Sequence, residues 1–410
     1  MDKTICELFA GVGGFRIGFE SQSKEWKTVW ANQWEPGKKL QHAFNCYKTH
    51  FNDFGGVNEF SNTDISKVDV KNIPDFSLIV GGFPCQDYSI ASTGALGIEG
   101  KKGVLWWEIN RIVEAKRPSF ILLENVDRLL KSPSSQRGRD FGVILACLTK
   151  LGYSVEWRVI NAAEYGFQQR RRRTFIFASH KNTNYDKNLK LLSEENILSK
   201  EGFFSSKFPV DNFNVDELLN KNIHISDDND LLNISNSFEF TFKNSGICID
   251  GHITTIDTTP SVLLKNPPLT LRDIIETDVD ETYYIKEEDL EKWRYMKGAK
   301  AIERTSSSGY KYMFREGAVA FPDPIDKPAR TMLTSERSKN RSTHVIEDLS
   351  SKRLRLLTPI ECERINGFPD NWTNTGMPNS FRYFCMGNAL VVDLIKIMAE
   401  NLYKIIEKED

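Results

Sequence analysis

The sequence predicts an α/β protein built on a mostly parallel sheet covered by helices, and three observations carry that prediction. Strand-like apolar runs alternate with helix-like amphipathic stretches up to about residue 180. The first of these runs enters a glycine-rich turn, Glu7-Leu8-Phe9-Ala10-Gly11-Val12-Gly13-Gly14. Two later runs end in reactive residues: 76–80 runs into Gly81-Gly82-Phe83-Pro84-Cys85-Gln86, and 120–123 into Glu124-Asn125-Val126. Open α/β sheets hold their ligands at the carboxyl ends of strands, so these three turns are expected to converge there.

In chain order, the strand candidates are 4–9, 28–32, 76–80, 119–123, 154–160 and 174–178. Between them, 104–115 places apolar residues at 105, 106, 109, 112 and 113, the spacing of one helix face. The last two strands are joined by a polar connection, 161–173, and are expected to pair antiparallel at an edge of the sheet. Residues 180–235 are rich in Asn, Asp, Lys and Ser, and clean alternation is lost until about residue 355. The segment 181–354 therefore reads as a separate domain of irregular or small-strand structure. Order returns at Leu357-Thr358-Pro359, where Thr358 suits an N-cap and Pro359 the first helical position. That helix should stop at Gly367, ahead of Pro369. After Met386-Gly387-Asn388-Ala389, a strongly apolar helix over 390–405 is expected to return to the first domain. The expected division is thus 1–180 plus 355–410 as one domain and 181–354 as a second, smaller one.

Composition limits what the chain does. No apolar run approaches the roughly 20 residues that span a bilayer. The N-terminus enters a strand without a basic region and long apolar core, so no signal peptide and a cytoplasmic location are expected. The seven cysteines are odd in number, irregularly spaced and without a CxxC pair, which argues against both a metal site and a disulfide framework. Net charge is only -2, so a nucleic-acid partner rests on local clusters: Arg170-Arg171-Arg172-Arg173, Arg137/Arg139, Lys101-Lys102 and Arg337-Ser338-Lys339-Asn340-Arg341.

Each turn admits a plain and a functional reading. The glycine-rich turn lets a ligand approach the backbone, although Arg16 stands where a dinucleotide fingerprint has its last Gly. Gln33-Trp34-Glu35 ends the second strand, where polar groups commonly hold ribose hydroxyls and an aromatic ring stacks on a base. Asp64 reads first as a turn residue. Cys85 follows a fixed proline angle and precedes a polar loop with Gly at 94, 97, 100 and 103. Glu124, closing an apolar strand, is either satisfied by backbone N–H groups or kept for proton work. If 169–173 is extended, Gln169, Arg171 and Arg173 share one face while Arg170 and Arg172 take the other.

In this order, these motifs resemble the cytosine-5 DNA methyltransferase family of prokaryotic restriction–modification systems, over residues 4–180 and about 353–402. The matching stretches are Phe9-Ala10-Gly11-Val12-Gly13-Gly14, Gly82-Phe83-Pro84-Cys85-Gln86, Glu124-Asn125-Val126, Gln169-Arg170-Arg171-Arg172-Arg173, residues 355–369 and Gly387-Asn388. The resemblance implies a Rossmann-like, S-adenosylmethionine (AdoMet)-dependent fold, with 181–354 as the target-recognition domain. It implies that a cytosine is extruded from duplex DNA, that Cys85 adds to C6, that Glu124 holds N3, and that C5 takes the methyl group, leaving S-adenosylhomocysteine. Arg171 and Arg173 are implied to orient the base and stabilise charge.

For the cofactor the resemblance points to Phe9, Ala10, Gly11, Gly13, Gly14, Gln33, Trp34, Glu35, Asp64, Ile65, Pro84 and Asn388. For DNA it points to Gln86, Ser89, Lys101, Lys102, Gln169, Arg330, Thr331, Ser335, Arg337 and Arg341. Two positions depart from the family pattern: Gln33 stands where a ribose-binding acid is usual, and Gln168 where Pro is common. A monomer acting on double-stranded DNA in the cytoplasm, at the nucleoid, with a cognate restriction endonuclease encoded nearby, completes the expectation. A tRNA cytosine-5 methyltransferase is the competing enzyme reading, opposed by the sizeable middle segment and the lack of a Cys-Phe-Thr stretch. A non-catalytic DNA-binding protein is opposed by the retention of Cys85, Glu124 and the arginines.

Overall fold

The computed structural model describes residues 1–51, 60–83, 105–225, 228–306 and 309–409. Five strands pair in parallel in the order β3-β2-β1-β4-β5: β1 (Thr4–Leu8), β2 (Lys27–Asn32), β3 (Phe60–Ser61), β4 (Leu78–Gly82) and β5 (Phe120–Val126). Parallel neighbours need crossovers. Helices α1 (Gly14–Gln22), α2 (His42–His50) and α3 (Leu105–Lys116) lie in these connections. Leu78, Ile79, Val80 and Phe120 to Leu123 are wholly buried, which is why these strands read as unbroken apolar runs. The strand order reverses between β1 and β4, the switch point at which sheets of this kind open a crevice. The glycine-rich turn leaves β1 there, and the chain toward Cys85 leaves β4.

After α4 (Arg139–Lys150), β6 (Tyr153–Asn161) and β7 (Arg172–His180) pair antiparallel from Tyr153↔His180 to Asn161↔Arg172, with β7 against β5. They do not form the sheet edge that the sequence suggested. β8 (Leu219–Asn222), β9 (Ser245–Ile249) and β10 (His252–Ile256) extend the sheet past β6 in the order β6-β9-β10-β8.

The chain forms two compact units. The first comprises Met1–Tyr165, Arg172–Leu264 and Val392–Asp410, and the second Gly166–Arg171 and Lys265–Val391. These boundaries differ from the expected 180/181 and 354/355 for two reasons. The strands of 219–256 complete the first unit's sheet, and residues 355–391 belong with the segment before them. In the second unit α5 (Leu290–Lys297) leads into a two-stranded ribbon, β11 (Lys300–Thr305) and β12 (Lys311–Glu316). β13 (Val345–Glu347) pairs with β14 (Leu354–Leu356), which carries Arg355. The buried Arg355 guanidinium binds both carboxylate oxygens of Glu361 at 2.9 and 2.7 Å, and Asp348 at 3.1 Å. α6 (Pro359–Ile365) opens with the expected cap: Thr358 accepts from the Glu361 N–H, and Glu361 accepts from the Thr358 N–H. α7 (Asn379–Asn388) follows. In the first unit, α8 (Val392–Ile406) packs on α1, with Ile395 against Gly18. No helix among the described residues is long and apolar enough to cross a membrane.

Candidate active site

The turn after β1 is open on one side and packed on the other. Phe9, Gly11 and Gly13 all take positive φ, at 53°, 55° and 90°. Hydrogen bonds fix the path: Ala10 N–H to Asn32 O (3.0 Å), Gly11 N–H to Gln33 Oε1 (2.8 Å) and Gly13 N–H to Ala10 O (2.8 Å). A Cβ on Gly11 would meet nothing within 4 Å, whereas one on Gly13 would come within 2.5 Å of the Phe51 ring. The turn therefore presents a backbone cradle to a ligand while Gly13 seals its other side. Ala10 is buried and Gly14 starts α1.

The second-strand residues have local partners. The Gln33 side-chain oxygen is committed to Gly11, so the amide that replaces the usual acid shapes the cradle itself. Glu35 accepts from Ala43 N–H at 3.3 Å, near the start of α2, and burial pushes its carboxyl up despite that bond. Trp34 between them is 36% exposed, leaving a ring surface to stack on. Asp64 accepts from Ser66 N–H (3.2 Å) and Oγ–H (2.9 Å), and Ile65 beside it is buried.

Beneath the cradle lies a buried polar cluster to which the sequence reading gave no role. Tyr47 O–H donates to Glu7 Oε2 at 2.8 Å, Arg16 Nη1–H to Tyr47 Oη at 3.3 Å, and Arg16 Nε–H to Glu20 Oε1 at 2.8 Å. Glu7 Oε1 is buried and has no hydrogen bond among the described residues. Burial pushes the Glu7 carboxyl up to about 7, against the opposing pull of Tyr47 and Arg16. The signal was present: Glu7 interrupts Ile5-Cys6-Leu8, as Glu124 interrupts its own strand.

At the end of β5, Glu124 is the register partner of Gly82 on β4. Its Oε2 lies where a Gly82 Cβ would sit only 3.1 Å away. Arg173 Nε stands 2.8 Å from Glu124 Oε1, an ion pair by distance. That N–H is not aligned for a hydrogen bond, so Oε1 is a buried acceptor still without one among the described residues. Asn125, the next residue, donates from Nδ2 to Phe83 O (2.8 Å) and accepts from Val126 N–H (2.8 Å), while Phe83 N–H reaches Glu124 O at 3.3 Å. The backbone just before Pro84-Cys85 is thus tied directly to the strand end that carries Glu124. Pro84, Cys85, Gln86, Ser89, Lys101 and Lys102 lie outside the described residues. The six described cysteines are all buried; burial drives the thiols of Cys6 and Cys362 far up and that of Cys248 to about 11.

The arginine run alternates as its extended reading requires. Gln169 and Arg171 are buried, Arg173 is half-buried, and Arg170 and Arg172 are exposed. Gln169 donates to Asn366 Oδ1 (2.9 Å) and is fully enclosed. Arg171 donates to the carbonyls of Met332 (3.4 Å) and Gly387 (3.2 Å), so it positions backbone of the second unit.

Other DNA candidates are also committed internally. Arg330 grips both oxygens of Asp323 (2.6 and 3.1 Å) and the Ser342 carbonyl (3.0 Å), and Thr331 Oγ1 donates to Arg170 O. Arg341 donates to the carbonyls of Met296, Gly298 and Gly317. Ser335 Oγ accepts from Asn340 (3.3 Å). Arg337 and Asn388 are exposed.

Residues 3–404 match the model of the C-5 cytosine-specific DNA methylases. The chain belongs to that family. It is 50% identical over 406 residues to the type II methyltransferase M.Sau3AI of Staphylococcus aureus, covering 98% of this chain and 95% of that one. It is 29% identical to M.NlaIV of Neisseria lactamica, over 97% of this chain and 98% of that one. Among solved structures, Entamoeba histolytica methyltransferase EhMeth (TM-score 0.59, 15% identity, 99% of each chain) and S. pombe Dnmt2 methyltransferase (TM-score 0.59, 14% identity, 99% of this chain and 98% of that one) share the fold. This methylase accordingly acts on DNA at cytosine C5, with a methyl donor of the AdoMet type.

Proposed function

We propose that this DNA cytosine-5 methyltransferase works through a transient bond between Cys85 and C6 of a cytosine extruded from the duplex, as the modification enzyme of a restriction–modification system. The observation that carries the reading is Glu124. It is a buried carboxylate with an acceptor unfilled among the described residues, held beside Arg173, and its register partner Gly82 stands just ahead of the cysteine turn. A cytosine N3 edge that gains a proton supplies the missing donor. The Cys85 thiolate adds to C6, and the ring electrons move toward C5 as N3 is protonated. C5 then takes the methyl group, its proton is lost to base, the C6–S bond breaks to release the Cys85 thiolate, and N3 gives up the proton it had gained. Arg173 holds Glu124 and steadies the developing charge. A thiol of pKa roughly 8.5 needs only modest local help to supply the thiolate.

The donor's residues fit the turn: Gly11 leaves open space where a ligand approaches the backbone, Gln33 keeps its amide N–H2 for a ribose hydroxyl, and Trp34 offers a ring face. Phe9, Ala10, Gly13, Gly14, Glu35, Asp64, Ile65, Pro84 and Asn388 complete the assignment. Bound there, AdoMet supplies an electrophilic methyl group. The first compact unit is assigned to catalysis and the second to target recognition. The enzyme acts as a monomer at the nucleoid, with a cognate restriction endonuclease encoded nearby and no physical complex between the two; the type II names of its relatives support the restriction–modification setting alone.

The test is label transfer from AdoMet to duplex DNA and to tRNA, wild type beside Cys85→Ser. Transfer to duplex DNA that the variant loses, with DNA binding retained, is expected; so is a covalent adduct with a 5-fluorocytosine duplex. Label in tRNA alone, or comparable turnover by Cys85→Ser, overturns the reading.

A further inference from the structure

The ribbon β11–β12 is solvent-exposed on both faces. Its register, Lys300↔Glu316 through Thr305↔Lys311, puts Ile302, Arg304, Tyr312 and Phe314 on one face and Lys311, Met313 and Arg315 on the other. Of its twelve strand residues only Lys300, Phe314 and Glu316 are even half-buried. Ile302 is 38% exposed, Tyr312 41%, Met313 50% and Tyr310 at its end 71%. A two-stranded hairpin with no core against either face is marginal in water, yet this one is anchored firmly at its base. Arg341 binds the carbonyls of Gly298 and Gly317, which flank the ribbon, and Val319 N–H reaches Lys297 O at 2.8 Å.

The ribbon's charge is also asymmetric. Its acids are paired within it: Glu303 with Lys311 at 2.9 Å and Glu316 with Lys300 at 3.8 Å. Arg304 and Arg315 have no carboxylate partner among the described residues. The Arg304 guanidinium instead lies over the Phe314 ring, 3.7 Å from its centroid, which restricts its plane.

We propose that this ribbon enters the major groove of the substrate duplex, with Arg304 reading a guanine edge and Arg315 contacting phosphate. A two-stranded ribbon fits that groove, and a planar, pre-oriented guanidinium is the side chain that binds guanine O6 and N7 together. Ile302 and Tyr312 flank Arg304 with apolar surface suited to base edges and thymine methyls. Arg341, predicted from sequence to touch DNA, acts as the positioning residue that holds the ribbon's two ends.

The proposal rests on duplex DNA being the substrate, and the experiment separates the two. Bisulfite sequencing of DNA from cells expressing the enzyme first gives the methylated sequence; no methylated duplex at all would sink that substrate reading before the ribbon is reached. Binding of the methylated-site and scrambled duplexes is then measured for wild type, Arg304→Ala and Arg315→Ala across a salt series, with AdoMet affinity and Tm as controls for folding. Arg304→Ala should lose on the order of tenfold to a hundredfold on the specific duplex, little on the scrambled one, and tolerate substitution at one base pair. Arg315→Ala should weaken both duplexes alike and flatten the salt dependence by about one phosphate contact. Unchanged affinity in both variants overturns the proposal. So does an equal loss on both duplexes for Arg304→Ala. Sedimentation showing self-association that the variants abolish would give the ribbon to a second copy of the chain, and that result overturns it as well.

Discussion

Glu7→Gln should make the protein's stability less sensitive to pH between about 4.5 and 7. Burial raises the Glu7 carboxyl from 4.5 to about 7, so between those values the folded chain holds a proton that the unfolded chain releases. The stabilisation is complete below the unfolded value and is lost as pH rises through the folded one. At about 1.4 kcal/mol per unit, that gap amounts to roughly 3 kcal/mol as an upper bound. Glutamine removes the titration yet keeps an oxygen for the Tyr47 hydroxyl. Glu156, also raised to about 7 by burial, stays in both proteins and contributes equally to each. Urea unfolding from about pH 5 to about pH 8 should therefore show the wild type falling further than the variant. Because Glu7 lies two residues before Phe9, AdoMet affinity should follow the same pattern, weakening above neutrality only in the wild type. Parallel stability profiles in the two proteins would refute the reasoning.

Asn125→Ala frees the Phe83 carbonyl and the Val126 N–H together. It should lower kcat for methyl transfer and cost about 1–3 kcal/mol of stability, with AdoMet affinity preserved, as isothermal titration and single-turnover kinetics would show. Gly13→Ala puts a methyl against the Phe51 ring at a residue with φ 90°. It should cost about 1–3 kcal/mol and weaken AdoMet binding at least tenfold, read by ligand-induced Tm shift.

The parallel half of the sheet was legible because strands buried on both faces must be apolar throughout, as Leu78 to Val80 and Phe120 to Leu123 are. β8 to β10 were not, because an antiparallel strand needs only one apolar face. Leu219–Asn222 has none to show, being mostly exposed and held by pairing to β10. Glu124 and the alternation of 169–173 could be read from local pattern alone. The internal partners of Arg330 and Arg341 could not. An arginine bound to internal carbonyls or to Asp323 carries the same letter as one that meets phosphate, and only the folded chain shows which acceptors it reaches. Gln33 is similar: its partner, Gly11 N–H, lies on another strand's turn.

The chain visits the second unit twice, and the first visit is only Gly166–Arg171. That short passage is wired into the longer one by the Gln169–Asn366 and Arg171–Gly387 bonds and by Arg170 N–H to Ala329 O at 2.7 Å. Exchanging residues 265–391 alone for those of a relative would leave the new segment to pack against a foreign 166–171 and would lose these bonds. An exchange that keeps the unit whole carries its donor's counterpart of the short passage too.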